Sequence, residues 1–91
     1  MISVRLRITG RVQGVGYRAW AVREGTRLGV HGWVCNRRDG SVEALVSGSD
    51  QAVAAMIAAC REGPYAARVS DVAVSDANHD GSSGFTARPT V

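Results

Sequence analysis

The sequence predicts an α+β sandwich in which two helices cover one face of an antiparallel sheet, with elements in the order β-α-β-β-α-β. Three observations carry that expectation. Val4, Leu6 and Ile8 alternate with Arg5, Arg7 and Thr9, the period-two pattern of a strand with one buried face. Asp39-Gly40 lies between two apolar runs, as in a hairpin. Val53, Met56, Ile57 and Cys60 repeat at i, i+3, i+4 and i+7, as on one face of a helix.

Taken in order, the first strand ends at Gly10. From Arg18 to about Leu28, the apolar positions Trp20, Ala21 and Leu28, with Tyr17 just ahead, give a helix that Gly29 stops. Val30 to Asn36 and Ser41 to Val46 flank Asp39-Gly40 and read as antiparallel strands two and three, because that dipeptide tolerates the positive φ a tight turn needs. Ser49 is a good N-cap and Asp50 suits the positive end of the second helix, which Gly63-Pro64 terminates. Val69, Val72 and Val74 mark a fourth strand, although Val69 is out of phase with the other two. Asn78 to Gly84 is loop by composition, leaving room for a short fifth edge strand over Phe85 to Arg88. This order is the split βαβ of a ferredoxin-like sandwich. Strands one and two then run in the same direction with strand three between them, so their C-terminal ends share one edge. The loop after strand one, the start of helix one and Asn36 are expected to meet there.

At 91 residues the chain is read as one domain, 1–91, with a single modest core. Its 45% apolar and 21% charged composition is ordinary for a globular protein, and no segment reaches the roughly 18 apolar residues of a membrane span. Met1 to Arg7 alternates instead of running apolar, unlike a signal peptide, so a soluble, cytoplasmic protein is expected, and nothing in the sequence demands more than a monomer. Cys35 and Cys60 form no C-x-x-C pair and have no histidine at metal spacing; they read as single reduced thiols, and no metal site is expected. The net charge of +3 favours anionic partners in a general way. Eleven basic residues, all arginine, fit a coding bias and solvated faces better than a binding stripe.

The run Gly10-Arg11-Val12-Gln13-Gly14-Val15-Gly16-Tyr17-Arg18 is the most informative stretch. Its glycines free backbone N–H groups to face a ligand, the helix start adds unpaired donors and partial positive charge, and arginine supplies a planar fork for phosphate oxygens. Successive N–H groups from Gly14 to Arg18 suit one tetrahedral anion. No Gly-Lys-Ser/Thr ending follows, so the lysine and magnesium-binding hydroxyl of a nucleotide loop are missing. The glycines taken alone equally describe a strand-to-helix turn. His31 and His79 lie outside the loop, no Ser or Cys adjoins it, and no paired carboxylates flank it. Such a site suits acyl phosphates, whose carboxylate leaves without a general acid while N–H groups and arginine stabilise the charge on the phosphoryl oxygens. Asn36, a neutral amide that donates and accepts but takes no proton, is suited to holding the attacking water.

The run from Gly10 to Arg18 resembles the signature of the acylphosphatases. Gly32-Trp33-Val34-Cys35-Asn36-Arg37-Arg38-Asp39-Gly40-Ser41-Val42-Glu43 is similar to their second motif, and with Gly48 and Gly63-Pro64 the resemblance covers nearly the whole chain. It implies hydrolysis of small acyl phosphates to carboxylate and inorganic phosphate without a cofactor. It also implies phosphate binding by Gln13, Gly14, Val15, Gly16, Tyr17 and Arg18, with Arg18 and Asn36 as the catalytic pair. Tyr17 stands where phenylalanine is more usual, and Phe85-Thr86-Ala87-Arg88 is only loosely family-like.

Other readings compete at each position. Asn36 alone reads as a turn residue, Trp20 and Trp33 as packing residues, Cys35 and Cys60 as small buried apolar groups, His31 and His79 as bystanders, and Arg5, Arg7 and Arg11 as solvated. Gly14-Val15-Gly16-Tyr17-Arg18-Ala19 formally fits a dinucleotide fingerprint, but a hairpin follows where a parallel strand is required. The alternative to an enzyme is a non-catalytic phosphate- or RNA-binding module of the same topology. For RNA it lacks aromatics on strands one and three, so no nucleic-acid partner is expected.

Overall fold

A computed structural model describes residues 1–91. Its elements are β1 (Ile2–Arg11), α1 (Tyr17–Leu28), β2 (His31–Asn36), β3 (Val42–Gly48), α2 (Asp50–Glu62), β4 (Arg68–Asp76) and β5 (Phe85–Arg88). The sheet order is β4-β1-β3-β2-β5. β3 pairs antiparallel with both β1 and β2, so these two run parallel and end at the same edge, as the split βαβ requires. The fifth strand is present, but it pairs with β2 in parallel, Gly32 opposite Phe85 through Cys35 opposite Arg88, which makes the sheet mixed and not wholly antiparallel. The cause is the direction of β4. That strand runs opposite to β1 and β2 and finishes at the end of the sheet where β2 begins; the following loop crosses there and the chain turns back, so β5 runs alongside β2 from its start.

Strand alternation and helical stripes meet in one core. Leu6, Ile8, Val34, Val42 and Val46 face Tyr17, Ala21, Val53, Met56 and Cys60 from the helices. Leu6, Ile8, Val42, Val46 and Met56 are completely enclosed, each burial contributing about 1.5–3 kcal/mol. Ser49 caps α2 by accepting from the Ala52 N–H at 3.1 Å. α1 starts one residue earlier than its apolar pattern indicates, because Gly16 takes the left-handed conformation just before it.

The phase error at Val69 has a physical origin. The register between β1 and β4 shifts at Thr9/Gly10, where Thr9 faces Asp71 and Gly10 faces Val69, so Ser70 is an extra residue. One inserted residue returns Val69 to the core side with Val72. Gly10 makes the bulge possible. Its φ is +122°, and a Cβ there would stand 2.2 Å from the Arg68 carbonyl oxygen and 2.7 Å from the Ser70 nitrogen.

The sheet face away from the helices carries a small cluster of Trp33, Cys35 and Leu45, with Arg88 4.7 Å and Arg5 5.6 Å from the Trp33 ring. Arg5 is ion-paired with Glu43 at 2.6 Å and Arg7 with Asp39, so these two are partnered and not simply solvated. Cys35 and Cys60 are buried free thiols in the two separate clusters, on opposite sides of the sheet. No helix is long and apolar enough to cross a membrane.

Candidate active site

Between β1 and α1 the residues Val12 to Gly16 form a loop whose shape follows from its glycines. Gly14 and Gly16 have φ of +72° and +77°, and no non-glycine residue has positive φ. Left-handed glycines on either side of Val15 allow successive N–H groups to turn toward one side, the arrangement that receives anions. None of the N–H groups from Gly14 to Ala19 donates to a backbone carbonyl, since the last three belong to the first turn of α1. These unpaired donors meet the positive end of the helix dipole, whose first turn holds no acidic residue.

Both flanks of the loop are anchored. On one side the Gln13 Nε2 donates to the Arg37 carbonyl at 2.7 Å and to the Ser41 carbonyl at 2.8 Å, joining the loop to the β2–β3 hairpin. On the other the Tyr17 ring is buried and its hydroxyl donates to the Cys60 carbonyl at 2.7 Å. That carbonyl would ordinarily accept from the residue four positions on, but Pro64 has no N–H to give. Tyrosine in place of phenylalanine therefore satisfies an acceptor left open by the α2 terminus. Burial pushes the Tyr17 hydroxyl far above its usual pKa, keeping it a donor.

A cleft of about 410 Å³ opens over the loop, lined by Gln13, Gly14, Gly16, Tyr17, Arg18 and Asn36 with Val12, Ala19 and Ala87. The Arg18 Nη1 donates to the Arg88 carbonyl at the end of β5, 3.0 Å away, and this exposed bond leaves the guanidinium's other donors free. Asn36 is the last residue of β2 and lies on the helix side of the sheet, in phase with the buried Val34. Its backbone carbonyl accepts from the Val91 N–H at 3.1 Å. Arg18 is the one charged residue in the lining, which contains no histidine, carboxylate or thiol to titrate near neutrality or to hold a metal. His31 sits at the opposite end of β2 from Asn36 and accepts from the Gly84 N–H through Nδ1.

The structure thus brings together Gln13, Gly14, Gly16, Tyr17, Arg18 and Asn36 from the sequence-based set. Val15 does not line the cleft, because its side chain packs on the core. Tyr17 likewise contributes its backbone, and Gln13 has both amide hydrogens engaged by the hairpin. Sequence reasoning missed Val12, Ala19, Ala87 and the Arg88 carbonyl. Ala19 directly follows Arg18, and that adjacency is the one available signal; nothing local tells that β5 lies beside β2. Chemically, a row of unpaired N–H groups, one guanidinium and a neutral amide can bind a tetrahedral anion and orient a water near it, without moving a proton.

Comparison with known proteins gives a consistent result. A family model described as Acylphosphatase matches residues 4–87. The chain is 47% identical to an acylphosphatase of Rhodospirillum rubrum over the whole of both chains. It is 66% identical to one of Nitrobacter winogradskyi over 65 residues, which span 71% of this chain and 66% of that relative. Among solved structures, the crystal structure of acylphosphatase from Bacillus subtilis superposes with a TM-score of 0.93 at 34% identity, covering 97% of this chain and 99% of the other.

Proposed function

The chain belongs to the acylphosphatase family, and from that membership we propose that it hydrolyses the carboxyl–phosphate bond of small acyl phosphates, giving a carboxylate and inorganic phosphate. The N–H groups of Gly14 to Ala19 and the Arg18 guanidinium hold the phosphoryl oxygens, and Asn36 holds the attacking water in line with the leaving group. The water oxygen bonds to phosphorus as the bond from phosphorus to the acyl oxygen breaks, and the water's protons stay on the product phosphate. The leaving carboxylate keeps the electron pair, and as a weak base it departs without protonation. Charge that spreads over the phosphoryl oxygens meets donors already in position, so stabilisation comes from electrostatics and placement. The observation that carries this reading is the union of unpaired N–H donors, Arg18 and Asn36 in one cleft without histidine, carboxylate or thiol.

Steady-state hydrolysis of acetyl phosphate, with a chelator present, tests it. Arg18→Ala loses both turnover and inhibition by inorganic phosphate. Asn36→Ala lowers kcat by about 100-fold or more, the scale of one lost transition-state contact, while phosphate still inhibits. No hydrolysis by the wild type, or hydrolysis only on adding a divalent metal, defeats the proposal.

A further inference from the structure

Asn36 must point in one direction to hold a water in line, yet no neighbour grips its side chain. Gln13 and Arg18 bond backbone carbonyls through their side chains, whereas the Asn36 amide has no such partner. Its direction is therefore set by its own backbone. Asn36 closes β2, and on the β3 side the ladder passes over it. There the Arg37 N–H donates to the Ser41 carbonyl at 2.8 Å, so Asn36, one residue earlier, turns its N–H and carbonyl the other way, toward β5.

One short segment receives both groups. Donors of a strand in a parallel pair step two residues at a time, so the bond from the Gly32 N–H to the Gly84 carbonyl recurs from Val34 to Thr86 and from Asn36 to Arg88. The Arg88 carbonyl is also where the Arg18 Nη1 donates, at 3.0 Å. One oxygen with two lone pairs thereby ties Arg18 to Asn36. Pro89 has no N–H, and the ladder breaks there. It resumes at Val91, whose N–H donates to the Asn36 carbonyl at 3.1 Å and whose carbonyl accepts from the Arg38 N–H at 3.1 Å. Val91 thus stands opposite Arg37, where the register of Cys35 with Arg88 would bring Thr90, so the segment carries one extra residue.

Resting on the acylphosphatase reading, we infer that Val91 is a positioning residue whose backbone N–H holds the peptide after Asn36, keeping the Asn36 amide aligned with the Arg18 guanidinium across the shared Arg88 carbonyl. That peptide is gripped on both sides, by Ser41 of the hairpin through the Arg37 N–H and by Val91 through the Asn36 carbonyl. With the second grip gone it tilts about the first, and the Asn36 side chain swings with it. Arg18 keeps its bond to Arg88, so phosphate binding is spared. Val91 acts through Asn36 and does so with its backbone, since its side chain is 55% exposed.

The test is acetyl phosphate hydrolysis by the full chain, and its inhibition by inorganic phosphate, with circular dichroism confirming folding. Val91→Pro lacks the N–H and lowers kcat about three- to tenfold, part of the roughly hundredfold that a 1 Å misplacement can cost. Its KM and its inhibition by phosphate stay within about twofold of wild type, because the loop and Arg18 are untouched. Val91→Ala keeps the N–H and restores kcat to within about twofold. In an Asn36→Ala background the proline changes kcat by less than about twofold, since the group it aligns is gone. Arg38→Pro gives a second route: the Gly40 N–H donates to the Arg37 carbonyl, so position 38 is the turn site that accepts proline, and losing its N–H frees the Val91 carbonyl and lowers kcat about two- to fivefold. Equal kcat for Val91→Pro and Val91→Ala, an unchanged kcat in Arg38→Pro, or an undiminished proline effect in the Asn36→Ala background overturns the positioning role alone. Failure of the wild type to hydrolyse acetyl phosphate overturns the parent reading with it.

Discussion

Replacing Gln13 separates an anchoring role from a ligand-binding one. Its amide donates to the carbonyls of Arg37 and Ser41 at 2.7 and 2.8 Å in a partly buried position. Two bonds at about 0.5–1.5 kcal/mol net apiece set the scale at about 1–3 kcal/mol. Each carbonyl keeps a second partner, since the Gly40 N–H donates to Arg37 and the Arg37 N–H to Ser41. Gln13→Ala therefore orphans no acceptor, and its cost falls in the lower half, about 1–2 kcal/mol. For a chain of this size that lowers Tm by about 5–15 °C. Gln13→Glu is the sharper probe. A carboxylate has no donor and places negative charge against two carbonyl oxygens, adding about 1–3 kcal/mol to the alanine loss. Urea unfolding followed by far-UV circular dichroism at pH 7 reads both variants, with acetyl phosphate hydrolysis measured on the same samples. The loosened loop lowers kcat about tenfold or more, because small misplacements are costly to positioned chemistry. A Gln13→Glu protein as stable as Gln13→Ala, or an alanine variant with unchanged Tm, refutes the anchoring role.

Three further outcomes follow from the same geometry. Tyr17→Phe leaves the Cys60 carbonyl buried without a donor and lowers unfolding free energy by about 1–3 kcal/mol, while kcat stays near wild type because the ring faces the core. The rate varies little between pH 6 and 8, since no side chain in the cleft titrates there; a bell-shaped profile in stopped assays identifies an overlooked acid or base. Gly10→Ala places a Cβ against the Arg68 carbonyl at the bulge and costs about 3 kcal/mol or more, and equal urea midpoints for variant and wild type count against the bulge.

Much of this arrangement is legible in the residues, and the limits have identifiable causes. The stripe Val53, Met56, Ile57, Cys60 and the Asp39-Gly40 turn depend on neighbours in sequence, so local pattern suffices for α2 and the hairpin. The meeting of the loop with Asn36 follows from topology, because parallel β1 and β2 must end together. Val69 defeats the period-two pattern because the bulge is defined by pairing with a strand sixty residues earlier in the chain. The parallel pairing of β5 depends on where a polar loop crosses, and no periodicity reports that. Arg5 and Arg7 look solvated in a one-dimensional reading because Glu43 and Asp39 reach them only across paired strands. Site residues defined by backbone groups, such as the Arg88 carbonyl beneath Arg18, leave no trace in side-chain identity at all.

The two anchors of the loop also divide motion from stability. Gln13 is held by the hairpin and Tyr17 by α2, so Gly14, Val15 and Gly16 bridge two fixed points, with the Val15 side chain resting on the core. A three-residue segment rearranges on loop timescales of nanoseconds to microseconds, and phosphate can leave without any opening of the sheet. Residues that make the protein durable are accordingly different from those that must yield during each catalytic cycle. Core-stabilising substitutions can accumulate in such a scaffold without slowing turnover, which relieves the usual conflict between durability and rate.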